Sequence, residues 1–231
     1  MGDEAIDWRR APGLFVTGTD TGCGKTEVSL GLMQYLQDQG LRVLGMKPVA
    51  SGSEASVNGL RNQDALRLQA QGSLDQPYER INPYAFEPPI APHLAATRAG
   101  RPIELARIQA GYRGLAAAAE RVIVEGVGGW RVPLGPGLDV AGLARALELP
   151  VVLVVGLRLG SLNHALLSAE AILAAHCTLA GWVANRVDPE MLLPEENLAT
   201  LVARLPAPCL GQIPWMRQPH PEAVAAALAA A

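Results

Sequence analysis

Residues 18–26 read GTDTGCGKT, closing on Lys25 and Thr26. A glycine-rich turn of this kind can bare several backbone N–H groups toward one anion, and a helix opening behind it adds the positive end of its dipole. Lysine after the last glycine then reaches the β and γ phosphates of a nucleotide, and the hydroxyl that follows suits Mg²⁺. The general phosphate-loop pattern has four residues between its first glycine and Gly-Lys; here Thr19 to Cys23 makes five. Three further residues are candidates for the same chemistry. Glu125 ends the apolar run RVIVE and precedes glycines, where a carboxylate can hold Mg²⁺ directly or through water. Asp64 falls in the first turn of an expected helix, a common place for aspartate. Lys47 ends the run before Pro48 and points into the expected ligand crevice. Ser51 and Ser53, on a glycine-containing loop, suit either a ligand or a turn.

Nineteen residues are Lys or Arg, and only Lys25 and Lys47 are lysine. An arginine-favouring composition accounts for the scarcity. The positions are more informative, because a compact ammonium fits a tight phosphate cradle where a flat guanidinium does not.

These residues need a scaffold that gathers them. Strand-length apolar runs are expected at 14–17, 41–49, 121–125, 151–155, 179–184 and 209–213. Helical patterns fall between them at 27–39, 63–70, 103–119, 140–147, 162–175 and 195–204. Buried strands with helical crossovers imply an α/β fold of phosphate-loop type: a mainly parallel sheet with helices on both faces. Ligands then gather at the carboxyl ends of the strands. The proline-rich stretch 82–92 is expected as a long active-site loop, and the alanine-rich end, 222–231, as a frayed helix. Residues 1–12 are expected as a flexible tail before a single domain spanning 13–231.

Composition excludes other classes. With 49% apolar and 18% charged residues the chain is globular. A net charge of −3 and 4% aromatics give no support for nucleic-acid binding. Three scattered cysteines form no disulfide framework or metal spacing, which fits a reducing, cytoplasmic setting. The N-terminal stretch lacks the apolar region of a signal peptide, and no run is long enough to span a membrane.

The blocks FVTGTDTGCGKT (15–26), KPVASGSE (47–54), LRNQDAL (60–66), NPYAF (82–86), PH (92–93), VEGVGGW (124–130), LGSLNHALL (159–167), GWVAN (181–185) and GQIPW (211–215) resemble, in this order, the dethiobiotin synthetase family. The five-residue spacing in the loop is that family's own. The resemblance implies ATP-dependent closure of a ureido ring on 7,8-diaminononanoate with CO₂, in a homodimer with the diamine at the subunit interface. It implies that Lys25 and Lys47 act in catalysis and that Thr26, Asp64 and Glu125 hold Mg²⁺. ATP would be lined by Thr21, Gly22, Cys23, Gly24, Lys25, Thr26 and Glu27, by Asp64, and by Glu125, Gly126, Val127 and Gly128. Asn185 would read the adenine edge, with Arg186, Pro214, Trp215 and Met216 beside it. From residue type alone, Asn185 reads as a turn residue and Trp215 as core. Ser51 and Pro92 would meet the substrate, and Gly160, Ser161, Leu162 and Asn163 the substrate carboxylate of the partner subunit. Two departures stand out. Gly22 replaces an acidic residue of some members, and the segment after Met216 matches poorly.

Two other phosphate-loop classes are weaker fits. Amidoligases of the cobyrinic acid diamide synthase type take ammonia from an attached glutaminase, and no cysteine nucleophile stands in a suitable elbow here. Partition-type ATPase switches carry an extra lysine early in the loop and membrane-binding basic helices, both missing from this sequence. A pure binding module would not require Lys47, Asp64 and Glu125 together.

Overall fold

The computed structural model describes residues 7–230. β1 (Gly13–Gly18) feeds the glycine loop and α1 (Lys25–Asp38). β2 (Val43–Met46) follows, then β3 (Val49–Ala50), β4 (Glu54–Ser56), β5 (Gly59–Arg61), α2 (Gln63–Gln71), α3 (Tyr78–Ile81) and β6 (Tyr84–Ala85). Next come α4 (Pro92–Arg98), α5 (Leu105–Ala116), β7 (Arg121–Glu125), β8 (Pro133–Gly135), β9 (Leu138–Asp139) and α6 (Val140–Leu147). β10 (Val151–Leu157), α7 (Ser161–Ala174), β11 (Leu179–Arg186), α8 (Pro194–Arg204), β12 (Cys209–Ile213) and α9 (Pro221–Ala229) complete the chain.

Six strands form one sheet in the order β12-β11-β10-β1-β7-β2, every pair parallel. The α/β class expected from the pattern is the one observed. Alternation along the strands sends side chains to two separate cores. Phe15, Leu153 and Val155 face a core shared with Ile108, Ile172 and Leu201 of α5, α7 and α8. Leu14, Val16, Val152 and Val154 face another, built with Val28 and Leu32 of α1 and Val224 and Leu228 of α9. After β1 the chain builds β2 and β7 on one side of it, then crosses to β10 on the other. That reversal opens a crevice at the carboxyl end of β1, where the glycine loop lies.

The run expected as one strand over 41–49 is divided. β2 stops before Lys47, and β3 pairs in parallel with β6 in a separate two-stranded sheet. Pro48 has no N–H to continue a ladder. The loop expected over 82–92 contains β6 and ends at α4, whose first residue is Pro92.

The alanine-rich end is docked rather than frayed. Val224, Ala225 and Leu228 are buried, and a Cβ on Gly31 would lie 2.2 Å from Val224 Cγ1. The missing side chain in α1 therefore lets α9 approach. Gly31→Ala is expected to push the helices apart at a cost of about 1–3 kcal/mol, the usual scale for overpacking, read as a lowered chemical denaturation midpoint. Of the tail expected over 1–12, residues 1–6 lie outside the described residues. Trp8 and Ala11 are buried, with the Trp8 ring 5.2 Å from that of Tyr35.

Candidate active site

The glycine loop is held in shape by close packing beneath it. Gly22 and Gly24 have φ values of 76° and 90°, a region that favours glycine. A Cβ on Gly24 would stand 2.0 Å from Asn185 Nδ2, which donates to Cys23 O at 2.9 Å. The Cys23 side chain is buried, and a Cβ on Gly18 would lie 2.3 Å from its sulfur. Cys23 can therefore offer a ligand only its backbone. Lys25 opens α1, is 7% exposed and donates to Asp20 O at 2.9 Å.

Behind the loop, the carboxyl ends of β7 and β2 and the first turn of α2 converge. Glu125, the last residue of β7, is 1% exposed, and Lys47 is 4% exposed. Lys47 Nζ donates to Glu125 Oε1 at 2.5 Å and to Asp64 Oδ2 at 3.0 Å. Thr26 Oγ1 donates to the same Glu125 oxygen at 3.0 Å. Burial alone would pull the Lys47 pKa down, but Glu125 and then Asp64 outweigh it and hold the ammonium above its ordinary value. Burial would push Asp64 up; Lys47 foremost, with Thr26 and Arg67, holds its carboxyl below the usual range. Both groups are therefore charged at neutral pH.

The arrangement leaves an opening for a cation. Glu125 Oε2 is buried with no hydrogen-bond partner, an unusual condition for a carboxylate oxygen. Two carboxylates meet one ammonium, and the Thr26 hydroxyl stands beside them. Among the described residues no group of three His, Cys, Asp or Glu side chains could enclose a metal. Mg²⁺ usually takes one or two carboxylates and fills its other positions with water and substrate phosphates.

A cavity of about 650 Å³ opens above this cluster. Of the residues singled out in the sequence, Thr21, Gly22, Gly24, Lys25, Thr26, Glu27, Lys47, Ser51, Asp64, Pro92, Glu125, Val127 and Gly128 line it. Gly126 lies beneath, where a Cβ would press on the Phe15 ring. A second cavity, about 190 Å³, is lined by Gly24, Glu27, Asn185, Arg186, Pro214, Trp215 and Met216. Gly24 and Glu27 border both, so a ligand can run from one to the other over the glycine loop. Trp215 is not core: it is 45% exposed at the rim of the smaller cavity. Asn185 is not in a turn but near the end of β11, buried against the loop. Gly160, Ser161, Leu162 and Asn163 open α7 and line neither cavity.

Other residues of the site carry no sequence signal of their own. Arg67, one turn beyond Asp64, forms a two-pronged pair with Glu27 at 2.6 and 2.7 Å and borders the larger cavity. Arg158 holds Asp20 of the loop at 2.7 Å. Isolated arginines in a chain with so many give no hint of these partners. The helical spacing from Asp64 to Arg67 is the one clue that both share a face.

A family model described as an AAA domain matches residues 12–223. An ATP-dependent dethiobiotin synthetase of Pseudomonas paraeruginosa is 57% identical over 218 residues, covering 94% of this chain and 96% of that one. Proteins of the same name from Chromohalobacter salexigens and Aromatoleum aromaticum are 54% and 51% identical, each over 93% of this chain and 94% and 95% of their own. Among solved structures, a ParA family ATPase of Chlorobium tepidum matches with TM-score 0.54 at 15% identity, over 90% of this chain and 85% of its own. The 54 kDa signal recognition particle protein of Aeropyrum pernix, in complex with GDP, also matches with TM-score 0.54, at 16% identity, over 96% of this chain and 45% of its own. At such identities these two likenesses concern the fold alone.

Proposed function

The chain belongs to the ATP-dependent dethiobiotin synthetase family and is a ligase of biotin biosynthesis; from that premise we propose how its residues divide the work. One amine of 7,8-diaminononanoate takes up CO₂ as a carbamate and releases a proton. A carbamate oxygen attacks the γ-phosphorus of ATP, giving a carbamic–phosphoric mixed anhydride and ADP. The second amine attacks the carbamoyl carbon, a C–N bond forms, the C–O bond to phosphate breaks, and the ureido ring closes. The observation that carries this reading is the buried Lys47 ammonium between Asp64 and Glu125 at the floor of the cavity.

Phosphoryl transfer asks a protein mainly for positioning and charge. The glycine loop's backbone and Lys25 hold the β and γ phosphates. Lys47 faces the carbamate and the transferring phosphoryl group, and its fixed ammonium is ready where negative charge develops. Thr26, Asp64 and Glu125 would hold Mg²⁺, which would supply charge to neutralise the phosphates. Ser51, whose buried hydroxyl has no partner, is free to meet the diamine or its carbamate. The smaller cavity takes the adenine, with Asn185 at its edge.

The homodimer belongs to the same proposal. Gly160 to Asn163 border neither cavity of their own chain, and Leu159 beside them is 97% exposed. Both features suit a helix start that completes a partner's site. Among the described residues no helix is long and apolar enough to cross a membrane; a cytoplasmic setting is part of the same proposal and rests on the small-molecule biosynthetic role of the family.

Label from bicarbonate tests the chemistry. With ¹⁸O-bicarbonate in excess, one labelled oxygen is expected in each phosphate released, because the carbamate oxygen that attacks ATP leaves with phosphorus. Mass spectrometry of early product phosphate reads this. Unlabelled phosphate formed alongside dethiobiotin would exclude the mixed anhydride.

A further inference from the structure

Lys47 stands between β2 and β3, outside any ladder, so its backbone groups need partners elsewhere. Both come from the α3 segment. Lys47 N donates to Ile81 O at 2.8 Å, and Asn82 Nδ2 donates to Lys47 O at 2.6 Å. Asn82 is in turn fixed by Tyr78, whose hydroxyl donates to Asn82 Oδ1 at 2.9 Å. The same hydroxyl accepts from Asn62 N at 2.7 Å. Asn62 is the N-cap of α2, its side chain accepting from Ala65 N at 3.2 Å, and α2 carries Asp64. The path closes on itself. It runs from the Lys47 carbonyl through Asn82, Tyr78 and Asn62 to Asp64, and back across 3.0 Å to the Lys47 ammonium.

We propose that Tyr78 and Asn82 are positioning residues of this enzyme, setting the Lys47 ammonium against Asp64 by tying the backbone of Lys47 to the cap of α2. Asn62 and Asn82 are 7% and 4% exposed and Tyr78 is 6% exposed, so water does not replace these bonds without rearrangement. Burial pushes the Tyr78 hydroxyl up, which keeps it a donor. The Arg61 guanidinium, 4.0 Å over the ring, caps it from outside. None of these residues borders either cavity except Asn62, so Tyr78 and Asn82 act only through others.

The inference rests on the role given to Lys47, and the test separates the two. Because the chain has two lysines, ¹³C-lysine labelling yields two side-chain signal sets, assigned with Lys25→Arg and Lys47→Arg. In Tyr78→Phe the Lys47 Cε–Hε signals are expected to move and those of Lys25 to stay. Turnover is expected to fall roughly tenfold to a hundredfold, the scale of a small misplacement at a reacting centre, with ATP affinity within about twofold of the parent because the glycine loop is untouched. Asn82→Ala, which cuts the next link, is expected to do the same and serves if Tyr78→Phe does not fold. Unmoved Lys47 signals would overturn the relay, and moved signals with unchanged turnover would overturn its place in catalysis. An idle Lys47 would show instead as normal turnover in Lys47→Arg, whatever Tyr78→Phe does.

Discussion

Lys47→Arg is expected to lose about a hundredfold or more of turnover, the scale seen when one preorganised donor at a developing charge is removed, while the chain folds and binds ATP as before. The ammonium sits 2.5 Å from Glu125 and 3.0 Å from Asp64. A guanidinium keeps the charge but is flat and wide, and its donors diverge. It can satisfy both carboxylates only by moving its centre away from the point where, under the proposed mechanism, Lys47 meets the carbamate. The fold should survive, since Asp64 is 40% exposed in its side chain and has room to swing. Steady-state kinetics, calorimetric ATP binding and a melting curve on one preparation check this together. Near-normal turnover would remove Lys47 from the reaction.

Glu125→Gln is expected to fail differently, in stability as well as rate. Glu125 accepts from both Lys47 and Thr26, with 1% of its side chain exposed. Neutralising it strands a buried ammonium on Asp64 alone, and breaking a buried pair from one side costs roughly 3–5 kcal/mol. For a chain of this size that lowers the melting temperature by roughly 6–20 °C. Lys47→Met added to Glu125→Gln should restore much of the loss, because the stranded charge is gone, but no turnover. Melting curves of the two single variants and the double variant give the answer. A single variant as stable as the parent would mean the pair contributes nothing to the fold.

The parts of the site announce themselves unequally in the sequence. The glycine loop was legible from residue types at fixed spacing, since backbone N–H groups and one lysine suffice to describe it. Glu125 was legible from its place at the end of an apolar run, a position that parallel sheets assign to ligands. Asp64 reads as an ordinary first-turn carboxylate, and only the folded chain brings it across to Lys47. Asn82 reads as the start of a loop and Tyr78 falls between expected elements, because their function lies in hydrogen bonds to backbone groups more than ten residues away. β3 and β6 were missed for a related reason, since they are two residues each and too short to show a period. The terminal helix was legible, but not its docking, because its sequence shows little but alanine and its packing depends on Gly31 in another helix.

Lysine scarcity has a last consequence, for chemistry done to the protein rather than by it. Both lysines line the larger cavity, 7% and 4% exposed, while all the remaining side-chain cations of Lys or Arg type are guanidinium groups. Acyl donors that seek primary amines therefore find no lysine on the outer face of the fold. A lysine mark on this chain must therefore fall on a side chain that lines the larger cavity, and under the roles proposed for Lys25 and Lys47 it would remove a charge that turnover needs.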